Sequence, residues 1–146
     1  MHLYIDIISR VIPTNMQLTK QTDYAFRVLL YLCDAPAETL SNVKDICAFH
    51  DISHNHVAKV VVKLTKLGYI DSVRGHGGGI RLAKPPEDIN VAQVIRDFEN
   101  TLEPVNCFAP RCAMLPGCKL KGVLFEAMNE FIESTARYTL ADLQAK

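Results

Sequence analysis

The stretch SHNHVAKVVVKLTKLGYIDSVRGHGGGIRLA, residues 53–83, carries two different periods in succession. Val57, Val60, Val61, Leu64 and Leu67 recur at helical spacing, and Ser53 stands where a helix cap is wanted. The Val60-Val61-Val62 run has strand propensity, but the cap, the period and Gly68 just past the end favour a helix. Tyr69-Ile70-Asp71-Ser72-Val73 then alternates as a strand does, Gly75-His76-Gly77-Gly78-Gly79 makes a turn, and Ile80-Arg81-Leu82-Ala83 returns. A helix followed at once by a hairpin is the outline of a winged helix. The glycine-rich loop joins two strands and opens no helix, which argues against a nucleotide site.

Working outward, Ser41 is read as the cap of a short helix running through Phe49, with Val43, Ile46 and Cys47 facing inward. His50-Asp51-Ile52 makes the turn into the next helix, so the pair forms a helix-turn-helix. Before it, Lys20 to Cys33 repeats Tyr24, Val28, Leu29, Tyr31 and Leu32 near helical spacing, and Asp34-Ala35-Pro36 ends that helix. Asp23 lies in its first turn, where the helix dipole favours a carboxylate. After Pro85-Pro86, Asn90 caps a helix with Val91, Val94, Ile95 and Phe98 on one face. The last helix is expected from Leu120 to Leu143, with Val123, Leu124, Ala127, Met128, Phe131, Ile132, Thr135 and Tyr138 as its apolar stripe. Roughly 24 residues span about 36 Å, more than so small a domain can cover, and a second subunit is the natural partner for the excess. The fold class is therefore mainly α with a small β-wing: a winged helix-turn-helix plus a long C-terminal dimerisation helix.

The whole chain of 146 residues suits one ordinary domain with an added oligomerisation element. Its 49% hydrophobic and 22% charged residues are those of a folded globular protein. No apolar run approaches a membrane span. Leu3–Ile8 is apolar but carries Asp6 and lacks a basic flank, against a signal peptide. Five cysteines, an odd number without an export signal, point to a reduced cytoplasmic setting rather than a disulfide framework.

Sixteen basic and sixteen acidic side chains cancel overall, but not locally. Between Ser41 and Lys84 there are seven basic and three acidic residues, and His50, His54, His56 and His76 lie there too. Together with the wing, this surplus favours double-stranded DNA, because phosphate contacts supply affinity and the recognition helix reads base edges. Ser53, His54, Asn55, His56 and Lys59 are expected at the major groove, and Arg74 and His76 at the backbone or minor groove.

Cys33 and Cys47 sit singly in helical patterns and are expected to pack as small apolar side chains. Cys107, Cys112 and Cys118 instead crowd a loop that contains Pro110, Pro116 and Gly117. Three thiolates in one loop can converge on a soft metal centre. Structural zinc usually takes four ligands, often in pairs two residues apart, and neither such a pair nor a nearby histidine is present. An iron–sulfur cluster tolerates a fourth position held differently from the other three. Arg111, Lys119 and Lys121 would offset the charge of a thiolate-ligated cluster. Redox thiols without a metal remain an alternative at this point.

Several motifs together carry a family resemblance: Met16-Gln17-Leu18-Thr19, Thr22-Asp23-Tyr24 with Arg27, Asn55-His56 with Lys59-Val60, Gly68-Tyr69, Arg74-Gly75 with Gly78-Gly79-Ile80-Arg81-Leu82, Val105-Asn106-Cys107, Cys118-Lys119-Leu120 and Tyr138-Thr139-Leu140-Ala141-Asp142-Leu143. From Met16 to Leu143 the chain resembles the NsrR type of nitric-oxide-sensing transcriptional repressor, within the winged-helix iron–sulfur regulators that also include IscR. The resemblance implies a homodimer whose cluster-loaded form binds operator DNA and leaves it when nitric oxide nitrosylates the cluster. IscR-like members carry one more residue between the first two cysteines and a histidine three positions after the third, where this chain has Lys121. The resemblance therefore favours a 4Fe–4S over a 2Fe–2S cluster on Cys107, Cys112 and Cys118. It also implies Asp23 of the other subunit as fourth ligand, with Arg27 as its neighbour.

The organisation expected is an N-terminal extension over 1–15 (a loosely ordered arm or the product of an upstream start), a winged-helix DNA-binding domain over 16–100, and a cluster loop with dimerisation helix over 101–146. An IscR-like regulator of iron or oxidative stress is the alternative. A thiol or metal enzyme is the weaker rival, because no cysteine has a nearby base to activate it; no enzyme activity is expected.

Overall fold

Residues 16–144 are described by the computed structural model; the reading of residues 1–15 lies outside them. Helix α1 runs Lys20–Asp34, α2 Val43–His50 and α3 His54–Lys66, followed by strands β1 (Ile70–Val73) and β2 (Gly79–Leu82). A 3-10 turn at Pro86–Asp88 leads to α4 (Val91–Phe98), then α5 (Lys119–Thr135) and a second 3-10 turn at Leu140–Leu143. Helices α1 to α3 with the hairpin are the winged helix expected from the sequence.

Packing follows the apolar periods. Ala25, Val28, Leu29 and Leu32 of α1, Ile46 of α2, Val57, Val60 and Leu64 of α3, and Ile70 and Ile80 of the hairpin form one buried cluster. Cys33 and Cys47 are buried in it, and burial pushes both thiols above the ordinary thiol range. Leu67 departs from the expected face: the helix ends at Lys66, and Leu67 at its C-cap is 41% exposed.

The hairpin pairs Ile70 with Leu82 and Val73 with Gly79 in antiparallel register. Its turn needs glycine for two reasons. Gly75 and Gly77 have φ of 95° and 76°, and a Cβ on Gly78 would collide with the Val73 carbonyl. Gly79 has a different neighbour: a Cβ there would lie 2.6 Å from the Ser41 carbonyl oxygen. That close approach lets Ser41 and Ile80 exchange backbone hydrogen bonds of 2.8 and 2.9 Å. Ser41 thus adds a one-residue third strand instead of capping α2. The cap is Asn42, whose Oδ1 accepts from the Lys44 amide at 2.9 Å.

The C-terminal helix is shorter than expected. It stops at Thr135, about 25 Å long, and does not reach Leu143. Asn90 Nδ2 donates to the Ala136 and Tyr138 carbonyls, and the Val91 amide also donates to Tyr138. Thr139 and Asp142 then form a reciprocal capping box that starts a new turn. The tail folds back: Leu140 is buried in the main core, and Gln144 Nε2 donates to the Cys33 carbonyl at 2.8 Å.

The other end of α1 is held as firmly. One carboxylate oxygen of Glu99, just past α4, accepts from the Thr19 amide at 2.8 Å, the Thr19 hydroxyl at 3.1 Å and the Thr22 hydroxyl at 2.6 Å. Thr22 is fully buried, so this carboxylate satisfies a hydroxyl that has no access to water.

Candidate nucleic-acid interface and cysteine loop

Helix α3 divides sharply between core and solvent. Val57, Val60 and Leu64 are buried, whereas Ser53, His54, Asn55, His56 and Lys59 are all exposed around its first turns. Ser53 occupies the N-cap without a side-chain cap bond, which leaves its hydroxyl available. Among the described residues, His54, Asn55, Lys59, Arg74 and His76 make no side-chain hydrogen bond or ion pair. Arg74 and His76 sit in the exposed hairpin turn. Unlike these, Lys63 turns inward, its ammonium 4.6 Å from the Phe98 ring centroid.

At the base of the wing, Tyr69 donates to Asp97 at 2.5 Å and stacks beneath the Lys84 ammonium, 4.5 Å from its ring centroid. Burial first, then the bond to Asp97, pushes the Tyr69 phenol well above its usual range. The wing is therefore fastened to α4 by a hydrogen bond as well as by packing.

The first turn of α1 faces the start of α3. Asp23 Oδ1 accepts from Arg27 Nε at 3.0 Å, one turn apart. That hydrogen bond holds the Arg27 guanidinium proton more tightly than usual, against the lowering effect of its partial burial. The same guanidinium lies 6.0 Å from the Tyr24 ring centroid, and Tyr24 in turn stands 6.1 Å from the His56 ring. The apolar period placed Tyr24 in the core pattern, and it does pack against the core while also standing between the Asp23–Arg27 pair and α3.

Cys107, Cys112 and Cys118 lie in the loop before α5, each half-buried and none in a disulfide. Asn106 Oδ1 accepts from the Phe108 and Ala109 amides at 3.0 Å, so the loop opens on an Asx turn. The Cys112 amide donates to the Cys107 carbonyl at 2.9 Å, which closes the first two cysteines into one turn, and Cys118 caps the N-terminus of α5. Three thiols on one short loop suit a soft iron centre by their chemistry. Among the described residues no three His, Cys, Asp or Glu side chains of one chain, Asp23 included, already converge into a metal cage.

Along α5 only Ile132 is buried, against Ala92 and Ile95. Leu120, Val123 and Phe131 remain 63%, 60% and 40% exposed. Met16, Leu18, Leu102, Leu124, Met128 and Phe131 line an open apolar groove of about 520 Å³ beside them.

Comparison with known proteins agrees with this architecture. The sequence pattern of the Rrf2 family, described as iron-dependent transcriptional regulator, matches residues 18–146. The chain is 47% identical over 131 residues to the HTH-type transcriptional regulator NsrR of Halalkalibacterium halodurans, covering 88% of this chain and 90% of that one. It is 44% identical to the protein of the same name from Bacillus subtilis, with 88% and 90% covered. Among solved structures, T. potens IscR superposes with a TM-score of 0.73 at 24% identity, covering 88% of this chain and 86% of that one. CymR, the global cysteine regulator of B. subtilis, gives 0.71 at 22% identity, with 88% and 95% covered. These two likenesses concern the fold.

Proposed function

We propose, from the premise that the chain belongs to the Rrf2 family of transcriptional regulators, that it is a homodimeric iron–sulfur repressor whose release from operator DNA is triggered by nitric oxide. The observation that carries this reading is the pairing of two features in one chain: a solvent-facing α3 and wing, and a half-buried three-thiol loop at the start of α5. Family membership makes it a regulator rather than an enzyme. Its work on operator DNA sets it in the cytoplasm.

Cys107, Cys112 and Cys118 would hold the cluster, with Asp23 of a second copy as fourth ligand. A 4Fe–4S cluster, our preferred form, supplies iron that reacts with nitric oxide when bound. Lys121 cannot act as a ligand while it is an ammonium, which has three donors and no lone pair. Arg27 orients the Asp23 carboxylate through its 3.0 Å hydrogen bond. Tyr24 passes the position of that turn to His56. On the DNA side, Lys59, Arg74 and His76 face phosphate and groove edge, while Ser53, His54, Asn55 and His56 meet bases. The exposed apolar residues of α5 and the groove beside them are the surface that a second copy would cover. The organisation that follows is a winged-helix reading head over 16–100 and a cluster loop with dimerisation helix over 101–146.

The test is anaerobic purification with iron and sulfide counts, followed by titration with nitric oxide, peroxide or chelator while operator binding is read by fluorescence anisotropy. Release at stoichiometric nitric oxide, with peroxide and chelator much weaker, is the expected result. A colourless anaerobic protein would end the cluster reading, and release by chelator alone would favour an iron-responsive regulator. Asp23→Ala should keep a cluster on three thiolates yet bind operator more weakly. A variant matching the parent in spectrum, affinity and nitrosylation rate would leave Asp23 as a helix-start carboxylate only.

A further inference from the structure

We propose that Lys121 is a positioning residue that folds the outer part of the cysteine loop onto the start of α5. Its ammonium lies 4.9 Å from the Phe108 ring centroid and 5.6 Å from the Phe125 ring centroid. Phe108 directly follows Cys107, whereas Phe125 is one turn along α5 from Lys121. One cation therefore spans the loop, joining the ring beside the first cysteine to the helix that the third cysteine caps.

The other fastenings of this loop are local. The Asx turn at Asn106, the Cys112 amide to Cys107 carbonyl bond and the Leu115 amide to Cys112 carbonyl bond all begin and end inside it. Among the described residues, no hydrogen bond from residues 105–117 reaches α5. Phe108 is 67% exposed, so burial alone does not hold it. A cation facing two aromatic rings supplies the missing long-range contact. It also holds a positive charge over the ring of Phe108, the residue next to Cys107 in sequence.

The significance of this clamp rests on the reading of the loop as the cluster's cradle, but its presence does not depend on iron. In the metal-free full chain, Lys121→Ala should speed amide exchange at Phe108, Ala109 and Cys112, and maleimide labelling of Cys107, by about 2- to 5-fold, the range one exposed cation–π contact supplies. Lys121→Arg should restore both rates. Phe108→Leu should mimic Lys121→Ala, and combining the two should add nothing further. Exchange within the second half of α5 should stay at the parent value. In the iron-loaded chain, Lys121→Ala should shift the visible circular dichroism and speed cluster loss to a chelator by a similar factor.

Parent-like loop exchange and labelling in metal-free Lys121→Ala would overturn the clamp. So would full additivity of the two substitutions. A parent chain that takes up no cluster would instead refute the proposed function while leaving the metal-free measurements to decide the clamp.

Discussion

Tyr24 and His56 face one another across the α1–α3 junction, ring centroids 6.1 Å apart and planes tilted by 39°. Asp23 is the neighbour of the first, and Asn55 the neighbour of the second. The turn that carries the proposed fourth ligand thus touches the turn that would read bases, with Arg27 behind it.

Tyr24→Ala should weaken operator binding by about 2- to 10-fold, the range of a lost aromatic pair of about 0.5–1.5 kcal/mol. Iron and sulfide content should not change, and Tyr24→Phe should match the parent. Anisotropy with operator and scrambled duplexes measures it. Equal losses on both duplexes would show that His56 is not being positioned for base contact.

Lys59→Ala should lower affinity for all duplexes and reduce the salt slope by about one unit. Asn55→Ala should instead relax discrimination among operator variants, since a good base contact contributes roughly 1–3 kcal/mol. Binding measured across a salt series separates the two, and an unchanged slope in Lys59→Ala would remove that side chain from phosphate.

The cysteines should split three against two. Serine at Cys107, Cys112 or Cys118 should abolish iron binding and operator affinity, whereas Cys33→Ala and Cys47→Ala keep both. In the metal-free chain at mildly alkaline pH, iodoacetamide should modify the loop thiols and spare the buried pair, whose proton affinity is raised by burial. Mass spectrometry of peptides after brief labelling gives the answer directly.

Glu99→Ala should cost about 1–3 kcal/mol in urea unfolding of the metal-free protein. It leaves the buried Thr22 hydroxyl and the Thr19 amide without their acceptor. Glu99→Gln should lie between the two, because its amide oxygen still accepts. An unfolding midpoint equal to the parent's would mean that water replaces the carboxylate.

Alkali should destabilise the fold through Tyr69, Cys33 and Cys47, whose pKa values are all raised by burial. Each holds its proton more tightly folded than unfolded. Their contribution is complete below the unfolded values, about 8.5 for thiols and 10 for tyrosine, and is lost as pH climbs toward the folded values. Urea midpoints from pH 7 to 10.5 should fall, and Tyr69→Phe should flatten the upper part of the decline while lowering stability at pH 7.

Features of sequence that act over a few residues were readable in advance. The buried face of α3 follows from Val57, Val60, Val61 and Leu64, and the wing from glycines whose turn would strain or collide with any side chain. Features decided between distant segments were not. Ser41 and Asn42 are equally good caps in isolation; the approach of Ile80, made possible by Gly79, selects Asn42. Nothing near Thr135 marks the end of α5, because Asn90, far away in sequence, captures the Ala136 and Tyr138 carbonyls. Glu99 gives no local sign of its partners, which lie 77 and 80 residues earlier. Lys121 was legible as a charge near the cysteines, but not as the partner of Phe108 and Phe125.

Glu99 and Gln144 flank the cysteine loop and α5 in sequence, yet both end on α1, one at each extremity. With its tips pinned by the two flanks of the C-terminal segment, α1 resembles a rigid rod between two bearings. A displacement of that segment would tilt the rod as a whole rather than fray one of its ends. Tyr24, riding near one bearing, would turn that tilt into sideways travel against His56. A small movement around the cysteines would thus be geared directly to α3, the helix proposed to meet DNA, without any need for the core to melt.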